Sequence, residues 1–252
     1  METVKSLYIE ETPTIQKQWK KVYLMGGYAA LLSFCGTLTD IIFGSASSGN
    51  LSELPQTAIE RFSEFQQSWL LGLYHLDLLN VITAITMIPA YFALFTLHRK
   101  NSLPYAGFAM VLSIIGTTIF VSTNSALPML ELSNKYYLAV DETQRMLIAA
   151  AGEAMLVRGG HGGLGVFIGF VFLTIASLCM SLVMLHGKIF NRTISYFGII
   201  GNTLLLMYIL LVTFVPAIQN IAVIIAAPGG LLALVWVLML GVKLIKMESL
   251  NC

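Results

Sequence analysis

The stretch LYHLDLLNVITAI, residues 73–85, lies in a run of side chains apolar enough to cross a lipid bilayer, yet it contains His75, Asp77 and Asn80. An ionisable side chain near the bilayer centre costs roughly 2.5–3.5 kcal/mol on insertion scales, so such side chains usually face a protein interior or a wet cavity. The stretch therefore predicts a transmembrane helix with a polar side that faces the inside of a protein.

The composition of the whole chain is typical of an integral membrane protein. Of its 252 residues, 57% are hydrophobic and 11% are charged, whereas soluble domains carry about 25% charged residues. The mean hydropathy is +0.80. A net charge of +1 without a concentrated basic face argues against nucleic-acid binding. The three cysteines lack the spacing of a disulfide framework or a structural zinc site.

Six stretches have the roughly 20 mainly apolar residues that a helix needs to cross the hydrocarbon core. These stretches are residues 22–44, 69–97, 103–127, 160–185, 194–215 and 221–242. The first exceeds the roughly 7–15 apolar residues of a signal-peptide core, so we expect it to remain as an anchor. The predicted fold class is all-α, a polytopic membrane protein with a bundle of six transmembrane helices.

Basic residues set the expected orientation, because the cytoplasmic flanks of membrane helices are enriched in lysine and arginine. With the N-terminus inside, ten of the 14 Lys and Arg residues lie on the cytoplasmic side. We therefore predict a multi-pass protein of the cell membrane with both termini cytoplasmic. Its parts are a cytoplasmic arm at 1–21, a transmembrane domain at 22–246 with outer loops 45–68 and 128–159, and a cytoplasmic tail at 247–252.

The second outer loop contains a helix signal. In VDETQRMLIAAAGEAMLV, residues 140–157, Asp141 precedes Gln144 by three positions, an arrangement close to a capping box, and apolar residues follow along one flank. We predict a short extracytoplasmic surface helix in which Glu153 turns toward the bundle or toward the start of the fourth span.

Two longer segments carry a family resemblance. They are NSALPMLELSNKYYLAVDETQRMLIAAAGEAML, residues 124–156, and SLVMLHGKIFNRTISYFGIIGN, residues 181–202. This part of the chain, about residues 120–215, resembles an uncharacterised family of prokaryotic multi-pass membrane proteins, domain of unknown function 4386. The resemblance implies a polytopic helical bundle but no activity, cofactor or catalytic residue. Asn124 and Glu153 fall inside the matching segments, whereas RGGHGG around His161 departs from the family pattern.

Polar side chains gather in the outer half of the predicted bundle. At about 1.5 Å per helical residue, Asp77 lies roughly 12 Å and Asp40 roughly 6 Å from the outer ends of their spans. Asn124 and His161 lie within about one turn of the outer boundary.

The helical angles separate the three polar residues of the opening stretch. Successive helical residues advance by about 100°, so Asp77 and Asn80 are expected on one face, while His75 points nearly the opposite way.

The leading hypothesis from this arrangement is an outward-opening polar pocket within the membrane. Asp77 and Asn80 would line its floor, and the predicted surface helix would be its lid. Its mouth would be formed by Asp40, Asn124 and either Glu153 or His161. Such a pocket would bind or pass a small molecule or a lipid.

Two alternatives remain open. Asp40, His75, Asp77 and His161 are chemically suitable zinc ligands for an intramembrane hydrolase, although no H-E-x-x-H or G-x-S-x-G motif accompanies them. The same polar groups could instead satisfy one another and specify helix packing in a purely structural membrane subunit. We assign no catalytic residue and expect no cofactor. The expected partners are membrane lipids and a small-molecule or lipid ligand, and the oligomeric state is left open.

Overall fold

The computed structural model describes residues 13–46, 55–160, 163–215 and 219–249. Within these ranges the chain forms helices and no strands, which confirms the predicted all-α class. The helices are α1 (Pro13–Ala46), α2 (Ala58–Gln67), α3 (Trp69–His75), α4 (Leu78–Thr123), α5 (Ala126–Leu138), α6 (Glu142–Gly159), α7 (Leu164–Gly187), α8 (Arg192–Phe214) and α9 (Gln219–Ser249). The predicted site residue His161 lies outside the described residues.

The longest helix, α4, folds back on itself. Ser102 has non-helical dihedral angles (φ −148°, ψ 37°), and Pro104 has no backbone N–H to continue the helical hydrogen bonds. Val81 and Phe120 pack in one apolar cluster, although a straight helix would hold them roughly 58 Å apart at 1.5 Å per residue. α4 therefore consists of two limbs, residues 78–101 and 103–123, that run in opposite directions.

A ring of helices forms the bundle. α1 packs against α4 and α9, α7 packs against α4 and α8, and α8 packs against α9. Small residues lie at the crossings: Gly27 of α1 touches Gly241 of α9, and Gly169 of α7 touches Phe120 of α4. Membrane helices commonly use small residues in this way, because their backbones can then approach closely.

The bundle has the surface of a membrane protein. Five stretches of the described residues are long and apolar enough to cross a membrane: Thr14–Phe43, Leu78–Leu138, Glu142–Gly187, Arg192–Phe214 and Ile224–Met247. Large apolar side chains also point outward on several helices, with Leu32 61% exposed, Phe108 55% exposed and Ile224 71% exposed. A helix that is apolar on all sides belongs in a large protein core or in a membrane.

Four further helices, α2, α3, α5 and α6, form a layer that we call the cap. It lies at the end of the bundle where α1 ends, α4 begins and ends, and α7 begins. Phe62, Phe65, Leu73 and Met129 belong to its apolar core, and Gly152 of α6 packs directly against α2. The sequence predicted two outer loops here, 45–68 and 128–159, with one helix. The described parts of both segments instead contribute to one packed helical layer.

The second predicted span, residues 69–97, is not one continuous helix. α3 ends at His75 and α4 begins at Leu78. Between them, Asp77 has a left-handed backbone (φ 63°), a conformation that L-residues other than Gly, Asn and Asp rarely adopt. Asp77 therefore lies at the junction of the cap and the bundle. The depth of roughly 12 Å that we calculated for an unbroken helix does not apply.

Candidate functional site at the junction of the cap and the bundle

The buried carboxyl group of Asp77 lies at the centre of the junction. The residue is 8% exposed, and its Oδ1 accepts a hydrogen bond from Asn80 Nδ2 at 3.1 Å. The two side chains are in contact, as expected, although Asp77 precedes α4 and does not share a helix face with Asn80. The carboxyl group of Asp77 is thus buried and bonded to the first turn of α4.

A tyrosine that the sequence analysis missed connects Asp40 to this junction. The hydroxyl of Tyr74 donates to the backbone carbonyl oxygen of Asp40 at 3.0 Å, and its ring packs against Phe43 at a centroid distance of 6.1 Å. Burial, followed by the charges of Asp40 and Asp77, raises the pKa of Tyr74 to about 12. The phenol is the donor in this bond, because a carbonyl oxygen can only accept. The sequence signal that could have identified Tyr74 as a junction residue was its position three residues before Asp77.

Asn124 uses both ends of its amide at the junction. Its Nδ2 donates to the backbone carbonyl oxygen of Leu76 at 2.7 Å, and its Oδ1 accepts from the backbone N–H of Ala126 at 3.1 Å. The first bond ties the end of α4 to the residue before Asp77. The second supports the first turn of α5. The observed bonds of Asn124 are therefore structural.

Glu153 is an exposed residue of the cap that reaches the start of α2. The predicted helix around it is confirmed as α6, and Asp141 caps it by accepting from the backbone N–H of Gln144 at 2.7 Å. Glu153 Oε1 accepts from the backbone N–H of Ala58 at 2.7 Å, one of the amides that a helix start leaves without a partner. The prediction that Glu153 turns toward the bundle or the fourth span is wrong, because the start of α2 offers it a donor.

A buried ionic cluster joins α2 to α3, and the sequence analysis did not find it. Glu64 Oε2 lies 3.0 Å from Arg61 Nη1, and Glu64 Oε1 lies 2.5 Å from His75 Nδ1. The three side chains are between 6% and 10% exposed. His75 thus faces α2, away from Asp77. The capping box of Thr57 and Glu60 at the start of α2 was the sequence signal for this helix.

The proposed metal ligands do not form a metal site in the part of the chain that the structure describes. No group of three or more His, Cys, Asp or Glu side chains there could hold a metal ion. His75 is bonded to Glu64, and His161 lies outside the described ranges. The hydrolase alternative therefore stays a hypothesis.

A cavity of about 220 Å³ lies inside the bundle. All the bundle helices contribute to its wall, and Asn80 connects it to the junction because it lines the cavity and also bonds to Asp77. Tyr91, which also lines it, lies about 16 Å further along the axis of α4. The polar side chains of the wall are six hydroxyls, Ser33, Thr37, Thr83, Tyr91, Thr174 and Ser177, and two amides, Asn80 and Asn202.

A second recess lies on the cap, between α5 and α6. It has a volume of about 440 Å³ and is lined mainly by apolar side chains, including Leu132, Leu147 and Ile148. Leu138 at its edge is 80% exposed. None of the predicted site residues lines this recess, so it is a feature of the cap surface.

Comparison with known proteins gives a family and no activity. Residues 28–243 match the family described as Domain of unknown function (DUF4386). The match extends the resemblance noted at residues 120–215 to the first helices of the bundle. No curated protein matches the chain, and no solved structure matches it.

Proposed function

The chain belongs to the uncharacterised family Domain of unknown function (DUF4386), and on that premise we propose that it is a multi-pass membrane protein that binds or passes a small molecule or lipid in the bundle cavity. The observation that carries the proposal is the polar wall of this cavity, in which eight polar residues line about 220 Å³. Helices that only support one another in a membrane pack closely through small residues. A cavity with polar walls is better explained by ligand binding than by helix packing alone.

The proposed topology has six crossings: α1, the two limbs of α4, α7, α8 and α9. Both termini would be cytoplasmic, and the cap would lie outside. Support comes from the basic residues near the end of the bundle opposite the cap, where Arg99 stacks over the ring of Trp19 at 4.2 Å. A tryptophan and an arginine at one level are typical of a membrane–water interface.

The proposed entrance to the cavity is at the junction, where Asp77, Asn80 and Asp40 lie beneath the cap. Asn80 lies at the junction end of the cavity, and Tyr91 lies about 16 Å further along α4. The floor of the proposed pocket is therefore deeper in the bundle than Asp77 and Asn80. We further propose that α6 lies along the outer membrane surface. Exposed apolar side chains support this location, since Met146 is 58% exposed and Leu147 is 69% exposed.

The topology can be tested by cysteine labelling in a variant without native cysteines. Leu138→Cys, at an exposed position of the cap, should react with a membrane-impermeant maleimide in intact cells. Asn191→Cys, at the exposed connection between α7 and α8, should react only after the membrane is breached. The reverse pattern would overturn the orientation.

The binding proposal can be tested by filling the cavity. Thr174→Phe places a ring in the cavity wall, whereas Thr118→Phe is a matched change at an exposed position of α4. Native mass spectrometry of protein released from nanodiscs should detect a bound small molecule or lipid in the wild type and in Thr118→Phe, and not in Thr174→Phe. Equal retention by all three proteins, or none in the wild type, would contradict the proposal.

A further inference from the structure

Five of the six hydroxyl groups of the cavity wall lie within hydrogen-bond distance of a protein acceptor. A serine or threonine hydroxyl has one hydrogen to donate and two lone pairs that accept. Four of the wall hydroxyls donate to backbone carbonyl oxygens, so they can offer only lone pairs to a ligand. These bonds run from Thr174 to Phe170 at 2.7 Å, from Ser177 to Leu173 at 3.0 Å, from Thr83 to Asn80 at 2.9 Å and from Ser33 to Thr83 at 3.3 Å.

Tyr91 is also reduced to an acceptor. Its hydroxyl oxygen lies 2.6 Å from Ser177 Oγ, and the hydrogen of Ser177 is directed at Leu173. With Ser177 bonded to Leu173, Tyr91 is the donor in this pair, which leaves its own lone pairs for the cavity. Asn202 uses one N–H of its amide on the backbone carbonyl oxygen of Gly198 at 2.7 Å.

The charges and rings around the cavity favour a cation. Among the described residues, no Lys, Arg or His side chain lines it. Asp77, buried and bonded to the wall residue Asn80, is the acidic group next to it. Phe120, Phe170 and Trp236 contribute aromatic rings to the wall, and the face of such a ring attracts cations.

We propose that the ligand of this cavity is a small protonated amine, an inference that rests on the proposed binding function. An ammonium group has three hydrogens and no acceptor, so it complements the lone pairs of Thr83, Thr174 and Ser177 in the wall. A buried cation also needs a nearby negative charge, because leaving water unpaired is costly. Asp77 does not line the cavity, but its carboxyl group accepts from the wall residue Asn80 and is the acidic group that we assign to this role. A carboxylate or phosphate ligand would meet the same lone pairs and would lie near the like charge of Asp77.

The test measures thermal unfolding of the full chain in phosphatidylcholine nanodiscs with three probes of equal carbon number, butylammonium, 1-butanol and butyrate. Butylammonium should raise the unfolding temperature, and the other two should not at equal concentration. Thr174→Val keeps the shape of the side chain but removes an acceptor. It should weaken the affinity for butylammonium by roughly tenfold or more, as expected for the loss of a hydrogen bond to a charged group.

Two further variants locate the effect. Asp77→Asn removes the charge while keeping a side chain that tolerates the left-handed backbone, so it should abolish the stabilisation by butylammonium. Thr118→Val is the matched control, since its hydroxyl donates to Ile114 at 2.8 Å at an exposed position outside the cavity wall. It should respond to butylammonium as the wild type does.

Several results would overturn the amine assignment. They are stabilisation by butyrate or butanol equal to that by butylammonium, no stabilisation by any probe, and a butylammonium effect that survives both Thr174→Val and Asp77→Asn. The native mass spectrometry of the cavity-filled variant judges the binding proposal separately. Loss of a copurifying molecule in Thr174→Phe together with any of these results would keep the binding function and reject the amine.

Discussion

The side-chain amide of Asn124 donates to the backbone carbonyl oxygen of Leu76 across 2.7 Å, which joins the end of α4 to the residue just before Asp77. This contact links the two ends of the α4 hairpin, whose limbs also pack through Val81 and Phe120. A neighbouring bond, from Ser125 Oγ to the backbone carbonyl oxygen of Gly159 at 2.9 Å, attaches the end of α6 at the same level. The cap and the bundle are therefore hydrogen-bonded to each other where the proposed entrance lies.

Asn124→Leu should destabilise the protein by roughly 1–3 kcal/mol, because the buried carbonyl group of Leu76 loses its donor. The free energy of unfolding can be measured by denaturant titration in mixed micelles. Asn191→Leu is the control, since Asn191 is exposed and makes no side-chain cap hydrogen bond. Equal losses in the two variants would show that the bond to Leu76 contributes nothing specific.

A pair of glycines in the last two helices gives a prediction about packing. A methyl group at Gly201 would lie 2.7 Å from the backbone nitrogen of Ala233, whereas a methyl group at Gly230 would meet nothing within 4 Å. Gly201→Ala should therefore cost roughly 1–3 kcal/mol, as overpacking does. Gly230→Ala should be neutral or should stabilise α9 by up to about 1 kcal/mol. Thermal unfolding of both variants would refute the α8–α9 contact if their effects were alike.

The sequence alone predicted those helices that have a long apolar run or a capping signal. Long apolar runs mark the bundle helices, and the Asp141–Gln144 spacing marks the start of α6. The cap was not predicted as a layer, because its helices are short and the segment of α2 reads as a polar loop. The break at Asp77 was missed because apolar residues continue on both sides of it, and hydropathy does not register a left-handed backbone.

The candidate site was predicted only where side chains lie close in sequence. The contact between Asp77 and Asn80 was expected because the two residues are three positions apart, and it is present, although Asp77 precedes α4 and is not part of a continuous helix. Glu64 and His75 meet through the packing of α2 on α3, which no spacing along the chain reveals. Thr174 and Ser177 are ordinary residues of a membrane helix by sequence. They became part of the site only when the structure showed that both line the cavity.

The start of α2 should weaken in acid. Hydrogen bonds from the backbone N–H groups of Thr57 and Gln56 lower the pKa of Glu60, so its folded-state pKa lies below its unfolded-state value. The stabilisation is then fully present above the unfolded-state pKa, and it is lost as the pH falls through the folded-state pKa. Amide exchange of α2, corrected for the intrinsic rate, should rise in acid in the wild type. In Glu60→Gln this pH dependence should disappear.

The buried ionic cluster of the cap should be the costliest place to remove one charge. Glu64→Leu leaves Arg61 and His75 buried without their carboxylate partner, and breaking a buried ion pair in this way typically costs about 3–5 kcal/mol. Glu131→Leu is the comparison, because Glu131 pairs with Lys135 at 3.2 Å on the exposed surface of α5, and such pairs contribute only about 0.3–0.5 kcal/mol.

The double variant Arg61→Met with Glu64→Leu should recover part of the loss, because an apolar replacement of both partners leaves fewer buried charges unpaired. Hydrogen exchange of α2 and α3 reports the opening of the cap, and denaturant titration reports the free energy of unfolding of the whole protein. If Glu64→Leu and Glu131→Leu had equal effects, or if the double variant were less stable than Glu64→Leu alone, the cluster would not be the electrostatic support of the cap.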